Sequence, residues 1–129
     1  MKALTVCQPW AHAIVFGSKR IENRTWPTSY RGTLLIHAGK SCKFLGERTF
    51  PDGTPVPPKG QLAFGVLLGI VELVDCVPFQ EAQSDPWAEG PWCWLLTNPR
   101  PVVPLAWRGA CGLFEVPDDS VKLLQLGLT

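Results

Sequence analysis

The apolar positions of the chain fall into short runs broken by turn residues, the pattern of a small mixed domain. Lys2–Cys7 alternates weakly and stops at Gln8-Pro9, which predicts a first strand. Trp10, Ala13 and Ile14 then share a helical face and Gly17 ends it, predicting a short helix over Pro9–Phe16. Ile21–Trp26 and Gly32–His37 predict two strands joined through the turn Pro27-Thr28-Ser29-Tyr30, the second apolar enough for a central place. A mixed segment from Gly39-Lys40-Ser41 to about Phe50 predicts one more helix, and Pro51–Gly60 a loop. The long β-branched stretch Leu62–Val77 predicts one bent strand, or two with a glycine kink. After a loop through Gly90-Pro91, Trp92–Thr97 predicts a strand, Asn98-Pro99 a turn, and Val102-Val103 and Gly112–Val116 the last strands. Pro117-Asp118-Asp119-Ser120 predicts the cap of a C-terminal helix over 117–129, with Val121, Leu124 and Leu128 on one face.

Many short strands and two or three small helices predict an α+β domain dominated by a compact β-barrel with short flanking helices. The 129 residues fit one domain, 1–129, that buries roughly two-thirds of its unfolded surface. The longest apolar run, Leu62–Val74, is broken by Gly65, Gly69 and Glu72 and is too short and polar to span a bilayer. No basic-then-apolar leader opens the chain, so a cytoplasmic protein is expected, with no membrane partner. The five cysteines are scattered, with none of the close spacings of a zinc knuckle or redox pair. They are expected to be buried free thiols. No metal and no cofactor is expected.

Net charge is only +1, yet the charges are segregated. Lys19, Arg20, Arg24, Arg31, Lys40, Lys43, Arg48 and Lys59 lie in the first half, and most carboxylates lie in the second. Folding that gathers the basic segment makes a local positive patch on a near-neutral protein. On a strand, Glu22 and Arg24 project from one face, with Trp26 on the same face by parity. Lys19 sits at the preceding turn, free to swing over that face, and Arg31 enters the next strand, where a hairpin brings it near. One carboxylate among several cations suits a phosphate or carboxylate ligand; the plain alternative is a surface salt-bridge cluster. An aromatic ring beside guanidinium groups stacks a base while the cations hold phosphate. Trp26 is the tryptophan expected to do this; Trp10, Trp92 and Trp94 are expected in core or rim packing. His37 ends a strand and reads as a backbone-bonded histidine or as a ligand contact. His12 is expected to be exposed.

The motifs Gln8-Pro9-Trp10, Gly17-x-Lys19-x-x-Glu22-x-Arg24-x-Trp26, and Tyr30-Arg31-Gly32 leading to Ile36-His37-Ala38 stand in order along the chain. They are followed by Gly90-Pro91-Trp92-x-Trp94, Asn98-Pro99-Arg100, and Arg108-Gly109 with Gly112-Leu113-Phe114. Together they resemble the ASCH family (activating-signal-cointegrator homology), a branch of the PUA-like superfamily. The resemblance covers nearly all of the chain up to about Glu115. It implies a PUA-like β-barrel with a cleft beside the first helix, holding single-stranded RNA or a (modified) nucleoside or nucleotide. It places Lys19, Glu22 and Arg24 on the floor of the cleft and Tyr30, Arg31 and His37 at its edges.

Some small proteins of that family are amidohydrolases acting on acetylated cytidine through a lysine, a threonine and a glutamate, and others are proposed to cleave RNA. Lys19 matches the lysine, Glu22 stands where the threonine would be, and Glu72 is the distal glutamate by rough position. The leading expectation is an RNA- or nucleotide-binding module with a basic, tryptophan-lined cleft. The alternative is a small hydrolase using the same cleft, an amidohydrolase or ribonuclease with Lys19 and Glu22 as its catalytic pair.

Overall fold

The computed structural model describes residues 1–125. Its seven main elements are β1 (Lys2–Val6), α1 (Trp10–Phe16), β2 (Ile21–Arg24), β3 (Gly32–Ala38), β4 (Val66–Pro78), β5 (Trp92–Ala106) and β6 (Leu113–Glu115). The strands form one six-stranded sheet in the order β2-β5-β4-β3-β1-β6. Among the described strands only β1 and β3 run parallel, and α1 lies in the crossover between them. The continuous apolar run of β3 suits its place between β4 and β1, where Leu34, Leu35, Ile36, His37 and Ala38 are all buried.

The helix packs against β3, β4 and β5 through Ala11, Ile14 and Val15. Val15 sits over Gly69 of β4, where an added Cβ would stand 2.6 Å from both Val15 methyls. Gln8, fully buried, ties the start of α1 down. Its Nε2 donates to Ala63 O at 2.7 Å, and its Oε1 accepts the His12 N–H at 2.9 Å. One of the unpaired donors of the first helical turn is satisfied in this way.

Several expectations are corrected. The sheet does not close into a barrel among the described residues: β2 and β6 remain its two edges. β2 and β3 are not a hairpin. β2 pairs antiparallel with β5 (Glu22 opposite Trp94, Arg24 opposite Trp92), whereas β3 pairs with β4 and β1. A turn signal marks a change of direction without saying which strand the chain joins next, and β5 is long enough to offer a partner across the sheet. Asn98-Pro99 does not end a strand. Between the pairs Ile70–Arg100 and Glu72–Thr97, β4 has one residue and β5 has two, so Asn98 and Pro99 form a bulge, with Asn98 at φ 52°.

The segment after β3 contains turns in place of the expected helix; its alternating polar and apolar residues offer no continuous buried face. At the C-terminus, Asp118–Ser120 is a single 3-10 turn. The chain then runs extended beside β5, with Leu123 bridged to Val102 and Val103 N–H donating to Lys122 O. Backbone pairing with β5 displaces the predicted helix there; its remainder, including Leu128, lies outside the described residues. Of the cysteines, all free, Cys93 is buried but Cys42 and Cys111 are exposed, on loops where no core is available to cover them. His12 is half-buried, on α1 beside Phe16. Among the described residues no helix is long and apolar enough to cross a membrane.

Candidate functional site

Pairing of β2 with β5 decides what faces the hollow beside α1. Directly opposed residues on antiparallel strands point to the same side, so Glu22 and Arg24 share a face with Trp94 and Trp92. Trp94 is wholly buried and belongs to the main core. Its Nε1–H donates to Trp26 O at 3.2 Å, and its ring meets Trp26 edge-on at 4.8 Å. Trp26, just past the end of β2, is thereby held half-exposed at the rim. On the opposite face Asn23 anchors the loop before β5. Its Nδ2 donates to Trp87 O, and its Oδ1 accepts the N–H groups of Glu89 and Gly90.

The result is a cleft of about 650 Å³ lined by Lys19, Glu22, Arg24 and Trp26 together with Trp10 and Trp87. Lys19 is only 3% exposed. Its Nζ stands 5.8 Å from the Trp10 ring centre and 5.4 Å from that of Trp87, inside the range of cation–π attraction. Glu22 Oε1 is 3.9 Å away, beyond hydrogen-bonding distance. Arg24 holds the other oxygen: Nε donates to Glu22 Oε2 at 3.0 Å, Nη2 lies 2.8 Å from it, and Nη2 also reaches Thr5 O at 2.6 Å.

Burial lowers the Lys19 pKa from 10.5, outweighing the nearby charges of Glu22, Glu89 and Asp85, which raise it. The push toward neutrality therefore comes from loss of water. Lys43, on the loop after β3, and Glu89 complete the charged lining, so three cations face two carboxylates. The excess of positive charge is small.

Four of the seven residues expected at the site, Lys19, Glu22, Arg24 and Trp26, thus surround one hollow; the other three do not line it. Tyr30 O–H donates to Thr33 O beside β3. Arg31 is exposed and pairs with Asp75 at 3.3 Å, because β3 lies next to β4 and not β2. His37 is buried in a second hollow, with Nε2 2.7 Å from Trp107 O and Nδ1 3.1 Å from Thr5 Oγ1. Glu72 is also elsewhere: it pairs with Arg100 and accepts from Thr33 Oγ1. Among the described residues no group of three or more histidine, cysteine or carboxylate side chains is arranged to hold a metal.

Trp10, Trp87 and Lys43 escaped the sequence reading as lining residues. Trp10 sits on the helix face that was assigned to the core. Trp87 lies in a loop without periodicity, where the available signal was Asp85-Pro86-Trp87: Asp85 Oδ1 accepts the Trp87 N–H in a tight turn that presents the ring.

The ASCH domain family model matches residues 4–106. The chain belongs to the ASCH domain family. Activating signal cointegrator 1 of Homo sapiens is 32% identical over 112 residues, and that of Mus musculus is 32% identical over 118. Each match covers 78% of this ASCH chain but 19% of the relative, so the chain spans about a fifth of those proteins' length. Crystal structures of the ASCH protein of Zymomonas mobilis and of a variant of it share the fold. TM-scores are 0.57 and 0.59, at 15% and 14% identity, covering 92% of this chain and 88% and 89% of those chains. At that identity the likeness shows the architecture of the ASCH sheet alone.

Proposed function

We propose that the cleft binds a nucleobase, presented by single-stranded RNA or by a (modified) nucleoside or nucleotide. One observation carries the reading. A buried ammonium, framed by two indole rings, stands 3.9 Å from a carboxylate oxygen that Arg24 leaves unoccupied, and both face an open hollow. Lysine donates only and carboxylate accepts only, so side by side they match a ring edge that carries both a carbonyl and an N–H donor. Nucleobases have such edges and flat faces for indole walls. The cavity is in the size range of small-ligand sites. The near balance of charge favours a base inside the cleft and a phosphate outside it. Support for a nucleic-acid ligand also comes from membership of the ASCH family.

The test is equilibrium binding of nucleosides and short single-stranded RNAs to the wild type and to Lys19→Met and Trp26→Ala variants. Both variants are expected to bind at least about fivefold more weakly, since a stacked base or a charged hydrogen bond contributes about 1–3 kcal/mol. Equal affinity in all three proteins would remove the cleft as the site.

A hydrolase reading has its own support in the lowered Lys19 pKa, since an amine nearer neutrality acts as a base or nucleophile. Glu22 Oε1 is the nearby group able to relay a proton. Turnover of acetylated cytidine or of short RNAs that disappears in Glu22→Gln supports catalysis. Tight binding without turnover supports the binding module, which is the outcome expected here.

A further inference from the structure

A second hollow of about 700 Å³ lies on the other side of the end of β1, lined by Thr5, His37, Lys40, Trp107, Arg108 and neighbouring glycines. We infer that it is a phosphate-binding groove, which takes the sugar-phosphate backbone of a single strand whose base occupies the tryptophan-lined cleft. The strand part of this inference rests on the cleft reading above; the anion site does not.

Three observations lead there. First, the charge is unopposed. Lys40 and Arg108 are exposed, neither forms an ion pair among the described residues, and no carboxylate lines the groove. The cleft, by contrast, has Glu22 and Glu89. A phosphate placed between these two hollows is drawn more strongly to the one without carboxylates.

Second, the cations are placed by the fold. Gly65, at φ +68°, leaves room for the Lys40 stem, whose Cε would be 2.8 Å from an added Cβ. Gly65 O accepts the Trp107 N–H at 3.1 Å. His37 fastens the same loop: a carbonyl only accepts, so Nε2–H donates to Trp107 O. Arg108 therefore follows a residue held at two points. At Gly109 an added Cβ would stand 2.6 Å from Thr5 Oγ1 and 2.9 Å from His37 Cε1, so bare backbone closes over the histidine there. Trp107 lines the groove as well, and gives a second aromatic surface.

Third, the two hollows adjoin. Thr5 lines both: its carbonyl accepts from Arg24 beside the cleft, and its hydroxyl meets His37 in the groove. A chain leaving the cleft past Thr5 enters the groove.

The experiment compares the wild type with a Lys40→Ala/Arg108→Ala double variant, both positions being exposed and outside the core. Single-stranded hexauridylate is expected to bind the variant at least about tenfold more weakly, by loss of charged hydrogen bonds. The slope of log affinity against log salt should become shallower by about 1.4, roughly 0.7 per lost cation. Free uridine and cytidine, which have no phosphate, should bind both proteins equally. Unchanged RNA affinity together with an unchanged salt slope would overturn the groove.

Lys19→Met and Trp26→Ala report on the cleft separately: RNA binding lost in the double variant but kept in these two leaves the groove standing and removes the cleft. If the wild type binds no RNA, inorganic pyrophosphate is titrated against the labelled protein. Movement of the Gly65 and Gly109 amide signals, absent in the double variant, supports an anion site; signals that stay fixed remove it.

Discussion

Arg24 engages Glu22 through a single carboxylate oxygen, Oε2, and leaves Oε1 turned toward Lys19. That asymmetry separates two tasks within one side chain. Oε2 secures the charge balance of a carboxylate only 7% exposed, while Oε1 stays available to a ligand. Arg24, which also donates to Thr5 O, is mainly committed to holding the wall. Lys19 Nζ, though buried, forms no hydrogen bond among the described residues and keeps its donors for a ligand.

Removing the carboxylate should therefore cost stability. Glu22→Ala leaves Lys19 and Arg24 without their shared anion, and breaking a buried pair costs about 3–5 kcal/mol. Glu22→Gln keeps an acceptor for Arg24 and should lose less. Urea denaturation measures both. A loss under about 1 kcal/mol in the alanine variant would mean that the cluster behaves as a solvated surface pair.

Lys19 should show the opposite sign. Its folded pKa lies below 10.5, so between the two values the unfolded chain binds the proton more readily. Stability then rises with pH through that window, and the cost of burying the charge is present in full below the folded pKa. Lys19→Met removes this cost while Glu22 keeps Arg24. The variant should be at least as stable as the wild type at pH 7 and should lack the alkaline rise. It should also lose ligand binding. A methionine variant that unfolds easily would make Lys19 a structural residue.

How far the sequence discloses this arrangement varies with the range of the information. Local signals are legible: the spacing of Glu22 and Arg24 on one strand face, the stop of α1 at Gly17, and the apolar run that puts β3 in the middle of the sheet. Partner choice is not. Nothing near Ile21–Arg24 says that it joins β5, some seventy residues on, and this pairing is what sends Arg31 to Asp75 and away from Glu22. Asn98-Pro99 carries one signal for a turn and for a bulge alike, an Asn that tolerates positive φ. His37 reads from the sequence as a backbone-bonded histidine or a ligand contact, yet its hollow is formed by residues some seventy positions away. Trp87 had no periodic pattern around it at all.

His37 should stay neutral below the pH at which a free histidine charges. Burial lowers its pKa from 6.5, Lys40 adds to the lowering, and the Trp107 carbonyl partly restores it. Below 6.5 the unfolded chain takes up the proton first, so the histidine's contribution to stability is lost as pH falls from 6.5 toward the folded pKa. Subtracting the pH–stability curve of His37→Gln from that of the wild type isolates this loss from the carboxylates. Nitrogen-15 shifts of the ring should show the Nε2–H tautomer near pH 7. A ring that titrates at or above 6.5 would contradict the burial.

Trp26 and Trp94 touch edge to face, yet their substitutions should separate cleanly. Trp94 is fully buried in the main core, and its Nε1–H is satisfied by Trp26 O. Trp94→Ala removes a large packed side chain and should cost about 3–5 kcal/mol of stability. Trp26 keeps one side against Trp94 and the other toward the cleft, and the hydrogen bond it accepts from Trp94 falls on its backbone carbonyl, which alanine retains. Trp26→Ala should therefore cost less stability than Trp94→Ala and more affinity than any exposed substitution outside the two hollows. The pair is read by thermal denaturation and by RNA titration on the same protein samples. If Trp26→Ala instead destabilises as much as Trp94→Ala and leaves RNA affinity unchanged, Trp26 is a packing residue, and the base would have to stack on Trp10 or Trp87.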